Sequence, residues 1–219
     1  MAAVKPRRYE SPRRREQAAA TRAAILRAAH DVLLRRGFVG TTVGSVAAEA
    51  GVSPQTIYAT FGGKRALLAR VLDVAITGDD EDVPLLERAW VQKMRAEEDA
   101  EKRARLLARH GAAILERVTP IYEVLRGAAA ADADMGSVWH SYKERRRAGQ
   151  LELARIVTAG VRRKGLALDA AADILYGLGS PETYSLLVGD RAWPKQRFER
   201  WYGDAIVRLL LEPDIGGRR

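Results

Sequence analysis

The chain has no cysteine, only three histidines and only three phenylalanines among its 219 residues. The missing thiol excludes disulfides, thiolate metal sites and a cysteine nucleophile, and it fits a reducing cytoplasm. His30, His110 and His140 are scattered, none with a partner at metal-ligand spacing such as H-E-x-x-H, so neither a metal centre nor a cofactor is implied. Gly177-Leu178-Gly179 is a broken glycine motif, followed by Ser180-Pro181 and not by a phosphate-binding turn. No apolar run approaches the roughly 20 residues that a membrane span requires, and Met1-Ala2-Ala3-Val4-Lys5-Pro6-Arg7-Arg8 lacks the apolar core of a signal peptide. Convincing period-two alternation is missing as well, which leaves no candidate strand. The expectation is a soluble, cytoplasmic, all-α protein of about nine or ten helices with no membrane partner and no catalytic machinery.

What the chain does have is positive charge, unevenly placed. Residues 1–73 hold 13 Lys and Arg against 5 Asp and Glu, whereas the remaining residues hold 24 against 23. This asymmetry is the footprint of a domain that displaces counterions from phosphates, joined to one with a different task. Residues 1–15 are rich in Arg and poor in apolar residues, so they read as a disordered basic arm. Its Arg7, Arg8, Arg13, Arg14 and Arg15 suit phosphates or a minor groove, with a solubilising tail as the alternative.

The most informative stretch is Thr41 to Lys64. Thr42 is a good N-cap for a helix carrying Val43, Val46, Ala47 and Ala50. Gly51 ends it with a left-handed turn, Val52 plugs the corner, Ser53 caps a second helix, and Pro54 takes its first position. Ile57 and Phe61 share one face of that second helix, which leaves Gln55, Thr56, Ala59 and Thr60 pointing elsewhere. A helix with one buried face and one small polar face is built to dock on its own domain while entering a DNA major groove. Gln55, Thr56 and Thr60 are the candidates for base edges, since Gln pairs bidentately with adenine and Thr methyls meet thymine. Thr42, Tyr58 and Lys64 are candidates for phosphates, as are Arg13, Arg14 and Arg15.

Gly37-Phe38, Thr41-Thr42-Val43, Ala47, Ala50-Gly51-Val52-Ser53, Thr56-Ile57-Tyr58, Phe61 and Lys64 through Leu68 resemble the DNA-binding signature of the TetR family of bacterial repressors. The match runs from about Thr21 to Asp73. Pro54-Gln55, Thr60 and Arg65 depart from the family's usual residues, which bears on the operator that is read. The resemblance implies a helix-turn-helix domain, here 16–76, and a helical ligand-binding and dimerisation domain, here 83–212. The segment Gly78-Asp79-Asp80-Glu81-Asp82 between them reads as a solvated linker, without the spacing of an EF-hand loop.

From Val83 onward the pattern predicts helices over Val83 to Glu98, Ala100 to Val118, a Thr119-capped helix opening at Pro120, Met135 to Lys164, a helix capped by Asp169 and bent at Pro181, and a last one opening at Pro194. The resemblance implies a homodimer through about 135–165 and 169–189, which sets two reading helices on a palindromic double-stranded DNA operator. It also implies a small-molecule effector of unidentified structure. Trp90, Met94, His110, Tyr122, Leu125, Met135, Trp139, Tyr142, Tyr176 and Tyr184 have the aromatic, soft or polar-tipped character of a pocket lining, and ordinary core packing explains them individually. The expected function is therefore a ligand-released transcriptional repressor; the alternatives are an effector-independent DNA-binding protein, constitutive or architectural, and, behind it, a helical enzyme.

Overall fold

The computed structural model describes residues 12–213, and its elements are helices, mostly α. Two compact units divide at Val71 and Leu72, inside one helix. Among the described residues no helix is long and apolar enough to cross a membrane.

The first unit contains α1 (Pro12–Arg36), α2 (Val43–Ala50), α3 (Pro54–Phe61) and the start of α4 (Lys64–Thr77). Ile25, Ala29, Val32 and Leu33 recur at helical spacing on α1, and with Phe38, Val46, Ile57, Leu67 and Leu68 they form a core from which water is excluded. Helix α1 begins earlier than the sequence suggests: Arg13, Arg14 and Arg15 stand on it and not in an arm. Arg, Glu, Gln and Ala over 13–20 are strong helix formers, so the helix continues without burying anything. Arg7 and Arg8 lie outside the described residues.

The second unit is organised on α6 (Ala100–Ala131), against which α5 (Ala89–Ala96), α7 (Ala133–Val157), α9 (Pro181–Tyr184) and α10 (Lys195–Leu210) pack, while α8 (Leu168–Leu178) packs on α7. Its stripe of Leu107, Leu115, Val118, Ile121, Tyr122 and Leu125 is buried. That stripe crosses Pro120, so α6 does not break there, and Thr119 donates its hydroxyl to the Leu115 carbonyl at 2.6 Å instead of capping a new helix. Proline inside a helix costs about 3 kcal/mol; burial on both sides of it offsets that.

Other boundaries also move. Val83 to Arg88 is a loop with one 3-10 turn (Leu85–Glu87), because Arg88 donates to the Val83 carbonyl at 3.1 Å and forks onto Asp79 at 2.6 and 2.7 Å. The supposed linker is thereby a closed loop. Helix α7 ends at Val157, where the buried Arg103 donates to the carbonyls of Val157 (3.3 Å) and Ala159 (2.8 Å) as well as to Glu97 and Glu98. Ala167, not Asp169, is the N-cap residue of α8. Pro181 interrupts as expected: α8 stops at Leu178, Ser180 caps the restart by accepting from the Thr183 amide at 2.9 Å, and a π-turn (Ser185–Asp190) follows.

Candidate nucleic-acid interface

The reading element is assembled by caps. Thr42 accepts from the Ser45 amide at 3.0 Å while Ser45 accepts from the Thr42 amide at 3.1 Å, a reciprocal box that fixes where α2 starts. Gly51 closes α2 at φ +66°, and the amide after it, on Val52, returns to the Ala47 carbonyl at 3.0 Å. A side chain at that φ would clash with its own backbone, so glycine sets the angle between the helices. Ser53 then caps α3 through the Thr56 amide at 3.2 Å, with Pro54 first.

Helix α3 divides by burial as amphipathic spacing requires. Ile57 is 0 % exposed and anchors the helix, while Gln55, Tyr58, Ala59 and Thr60 are exposed and Thr56 is half-buried. Tyr58, at 56 % exposure, is a large aromatic that the unit itself leaves uncovered. The Thr60 hydroxyl donates to the Thr56 carbonyl at 2.7 Å, and the Thr56 hydroxyl lies 3.0 Å from that of Ser53. With both hydroxyls engaged, the methyl groups are what these threonines offer to a base.

Among the phosphate candidates, Thr42 is exposed and Lys64 is half-buried. The Lys64 ammonium donates to the Phe38 carbonyl at 3.0 Å and sits 4.1 Å from the Phe38 ring centre. It therefore ties the α1–α2 connection to the start of α4, a duty that the sequence did not signal. Arg13, Arg14 and Arg15 are exposed on α1.

The pocket candidates of the second unit fall into separate groups. Tyr122, Trp139 and Tyr142 form one cluster, with ring centres 4.9 Å (Tyr122–Trp139), 5.7 Å (Tyr122–Tyr142) and 6.3 Å (Trp139–Tyr142) apart. Tyr122 donates its hydroxyl to Glu182 in a short hydrogen bond. Burial, then the Glu182 carboxylate, pushes the Tyr122 phenol well above its ordinary value, and burial pushes Tyr142 up to about 12. Trp90 stacks on His110 at 4.8 Å, elsewhere on α5 and α6. Met94 and Tyr184 belong to the main core, where Tyr184 meets Phe198 edge-on at 4.9 Å. Tyr176 lies under Arg146 at 3.8 Å, and Leu125 and Met135 are fully buried. Glu182 and Arg146 escaped the sequence reading because only the fold brings them to Tyr122 and Tyr176.

The far end of α4 is held within the second unit. Arg117 of α6 donates to the carbonyls of Ala75 at 3.0 Å and Ile76 at 3.4 Å, and Arg145 of α7 pairs with Asp73 at 3.1 Å.

Comparisons with known proteins agree with this geometry. Residues 25–71 match the model of the bacterial regulatory proteins of the tetR family. The chain is 28 % identical over 181 residues to the HTH-type transcriptional regulator YdeS of Bacillus subtilis (strain 168), itself uncharacterised, with 82 % of this chain and 84 % of that protein covered. Its fold is similar to that of FadR from Bacillus subtilis in complex with stearoyl-CoA, with a TM-score of 0.66, 18 % identity, and 85 % and 97 % of the two chains covered. It is also similar to a protein of Saccharomonospora viridis described as a transcriptional regulator and solved with choline, with a TM-score of 0.63, 19 % identity, and 87 % and 98 % covered. With the capped α2–α3 pair, its exposed polar face and these matches together, the chain carries the helix-turn-helix DNA-binding domain of the TetR family of bacterial transcription regulators.

Proposed function

We propose that this regulator is a repressor that binds a palindromic operator as a homodimer and is released by a small, largely apolar or aromatic molecule. The observation that carries the reading is the division of α3, with Ile57 sealed inside and Gln55, Tyr58 and Thr60 turned outward. One such helix contacts too few base pairs to be selective, and a two-fold pair about one helical turn of DNA apart, ~34–36 Å, solves this. Gln55, Thr56 and Thr60 read bases, and Thr42, Tyr58 and Lys64 address phosphates.

The apolar residues that remain partly exposed favour α8, the π-turn at Ser185–Asp190 and α10 for the dimer contact. Ile174, Leu178 and Trp201 are half-buried, and Leu186 and Leu209 are exposed. The outward positions of α7 include the polar Asp134, Ser137, Glu144 and Arg147, so α10 joins 135–165 and 169–189, the segments expected from the sequence, as a candidate for the interface.

The effector region is the second unit, and the Tyr122, Trp139 and Tyr142 cluster beside Glu182 is the part of it best suited to an aromatic or cationic group. Two neighbours of the same fold were solved with choline and with stearoyl-CoA, which favours a ligand-binding role for this region. Ligand would bias the grip of Arg117 and Arg145 on the end of α4, and α4 runs on into the DNA reader. DNA and ligand then oppose each other reciprocally, and a coupling of about 1–3 kcal/mol weakens operator binding 5–150-fold. Titration of a compound library into a fluorescent operator complex tests this. Compounds that raise the melting temperature of the protein should lower its DNA affinity; if none that binds does so, the effector reading falls.

A further inference from the structure

Helix α1 carries a polar stripe beside its buried face, in which Arg22 has a packing role, its guanidinium lying 4.6 Å from the Phe61 ring centre. Arg14, Gln17, Thr21 and Arg22 of α1 and Thr56 and Thr60 of α3 line an open groove of about 490 Å³, together with Ala18 and Ala19. Positions 14, 17, 18, 21 and 22 follow helical spacing, so they share one face of α1. Residues 13–20 are all exposed, and this stretch adds nothing to the core of its unit. No carboxylate lines the groove; its lining is cationic, amide or hydroxyl, with two alanines that keep it open. The occupant that fits is an extended anion with acceptor oxygens along its length. Because Thr56 and Thr60 form the opposite wall, that anion borders whatever α3 reads.

We propose that the groove seats one phosphodiester strand flanking the major groove entered by α3. Arg14 supplies the charge, and the Gln17 amide and Thr21 hydroxyl donate to non-bridging phosphate oxygens. The proposal rests on the DNA-reading role of α3 and assigns further residues to it. It also separates the three arginines of the α1 start: Arg13 and Arg15 stand about 100° to either side of Arg14 and do not line the groove.

The test compares Arg14→Gln, Gln17→Ala, Thr21→Val and the control Arg13→Gln in the full chain. Each is titrated against a random-sequence labelled duplex and against a duplex recovered by selection from a random pool. Arg14→Gln should reduce the slope of log affinity against log salt by about 0.9 per bound chain, with a smaller change for Arg13→Gln. Gln17→Ala and Thr21→Val should each weaken binding to both duplexes by the same factor, roughly fivefold, with the slope unchanged. Equal slope losses for Arg13→Gln and Arg14→Gln would reduce the groove to diffuse charge and overturn the proposal. So would unaltered affinity in Gln17→Ala and Thr21→Val, or a changed base preference in Gln17→Ala, which would make Gln17 a reader of bases. Failure of the unaltered protein to bind either duplex is a different result, which removes the DNA-reading role of α3 itself.

Discussion

Lys64 and Gln55, the one proposed for phosphates and the other for bases, differ in what the fold already asks of them. Lys64 is engaged at 3.0 Å with the Phe38 carbonyl, so it stabilises the unit as well as adding positive charge, whereas Gln55 is exposed on α3. Lys64→Ala should therefore weaken binding to all sequences and lower the melting temperature, the lost charged hydrogen bond contributing about 1.5–3 kcal/mol. Gln55→Ala should relax preference at one base position and leave the melting curve in place. Selection from a random duplex pool, paired with thermal denaturation, separates the two; identical behaviour would sink the division of roles. Thr42, Gly51, Ser53 and Pro54 were legible in the sequence because caps and turns are local chemistry, and each stands where its side chain or its lack of one requires. The Lys64 to Phe38 contact, across 26 positions, was not, since tertiary contacts leave no local pattern. Gly51→Ala should cost about 1–2 kcal/mol from forcing a side chain at φ +66°, a loss that chemical denaturation would register together with weaker DNA binding.

Helix existence was legible for the same reason that helix boundaries were not. The apolar stripe of α6 is visible in its spacing, yet Pro120 reads locally as a start and only the packing on both sides of it keeps α6 continuous. Pro120 is exposed, so Pro120→Ala removes a helix breaker without leaving a cavity. Set against the added freedom of the unfolded chain, a net stabilisation of about 1–2 kcal/mol is expected. A calorimetric melt showing destabilisation would mean that α6 needs the bend. The loop before α5 is the converse case. Its acidic run reads as a solvated linker, while the Arg88 fork onto Asp79 closes it into a defined loop and holds the Asp79 carboxyl below its ordinary range. The second-unit aromatics were legible as a kind of residue and not as an arrangement. Periodicity does not say that Tyr122, Trp139 and Tyr142 meet while Met94 and Tyr184 lie in the main core.

Charge and titration act on the molecule as a whole. The imidazole of His110 is held below its ordinary value, first by burial and then by the cations of Arg109, Lys93 and Arg117, with Glu199 opposing. The unfolded chain therefore binds the proton more readily than the folded one, so stability rises with pH in that range. The His110 contribution is complete above the ordinary imidazole value of 6.5 and is lost as pH falls through the lower folded value. Denaturant midpoints measured across that window should drop toward acid in the unaltered protein and drop less in His110→Gln; parallel profiles would contradict the assignment.

The excess of positive charge in residues 1–73, 13 basic against 5 acidic, fits a DNA reader joined to a nearly neutral partner unit. The most direct test of that whole is to select duplexes from a random pool and determine by sedimentation how many chains each recovered duplex holds. The account predicts a palindrome whose half-sites lie about one helical turn apart, or a multiple of it, occupied by two chains. Recovery of no preferred sequence, or of an asymmetric site filled by a single chain, would contradict it.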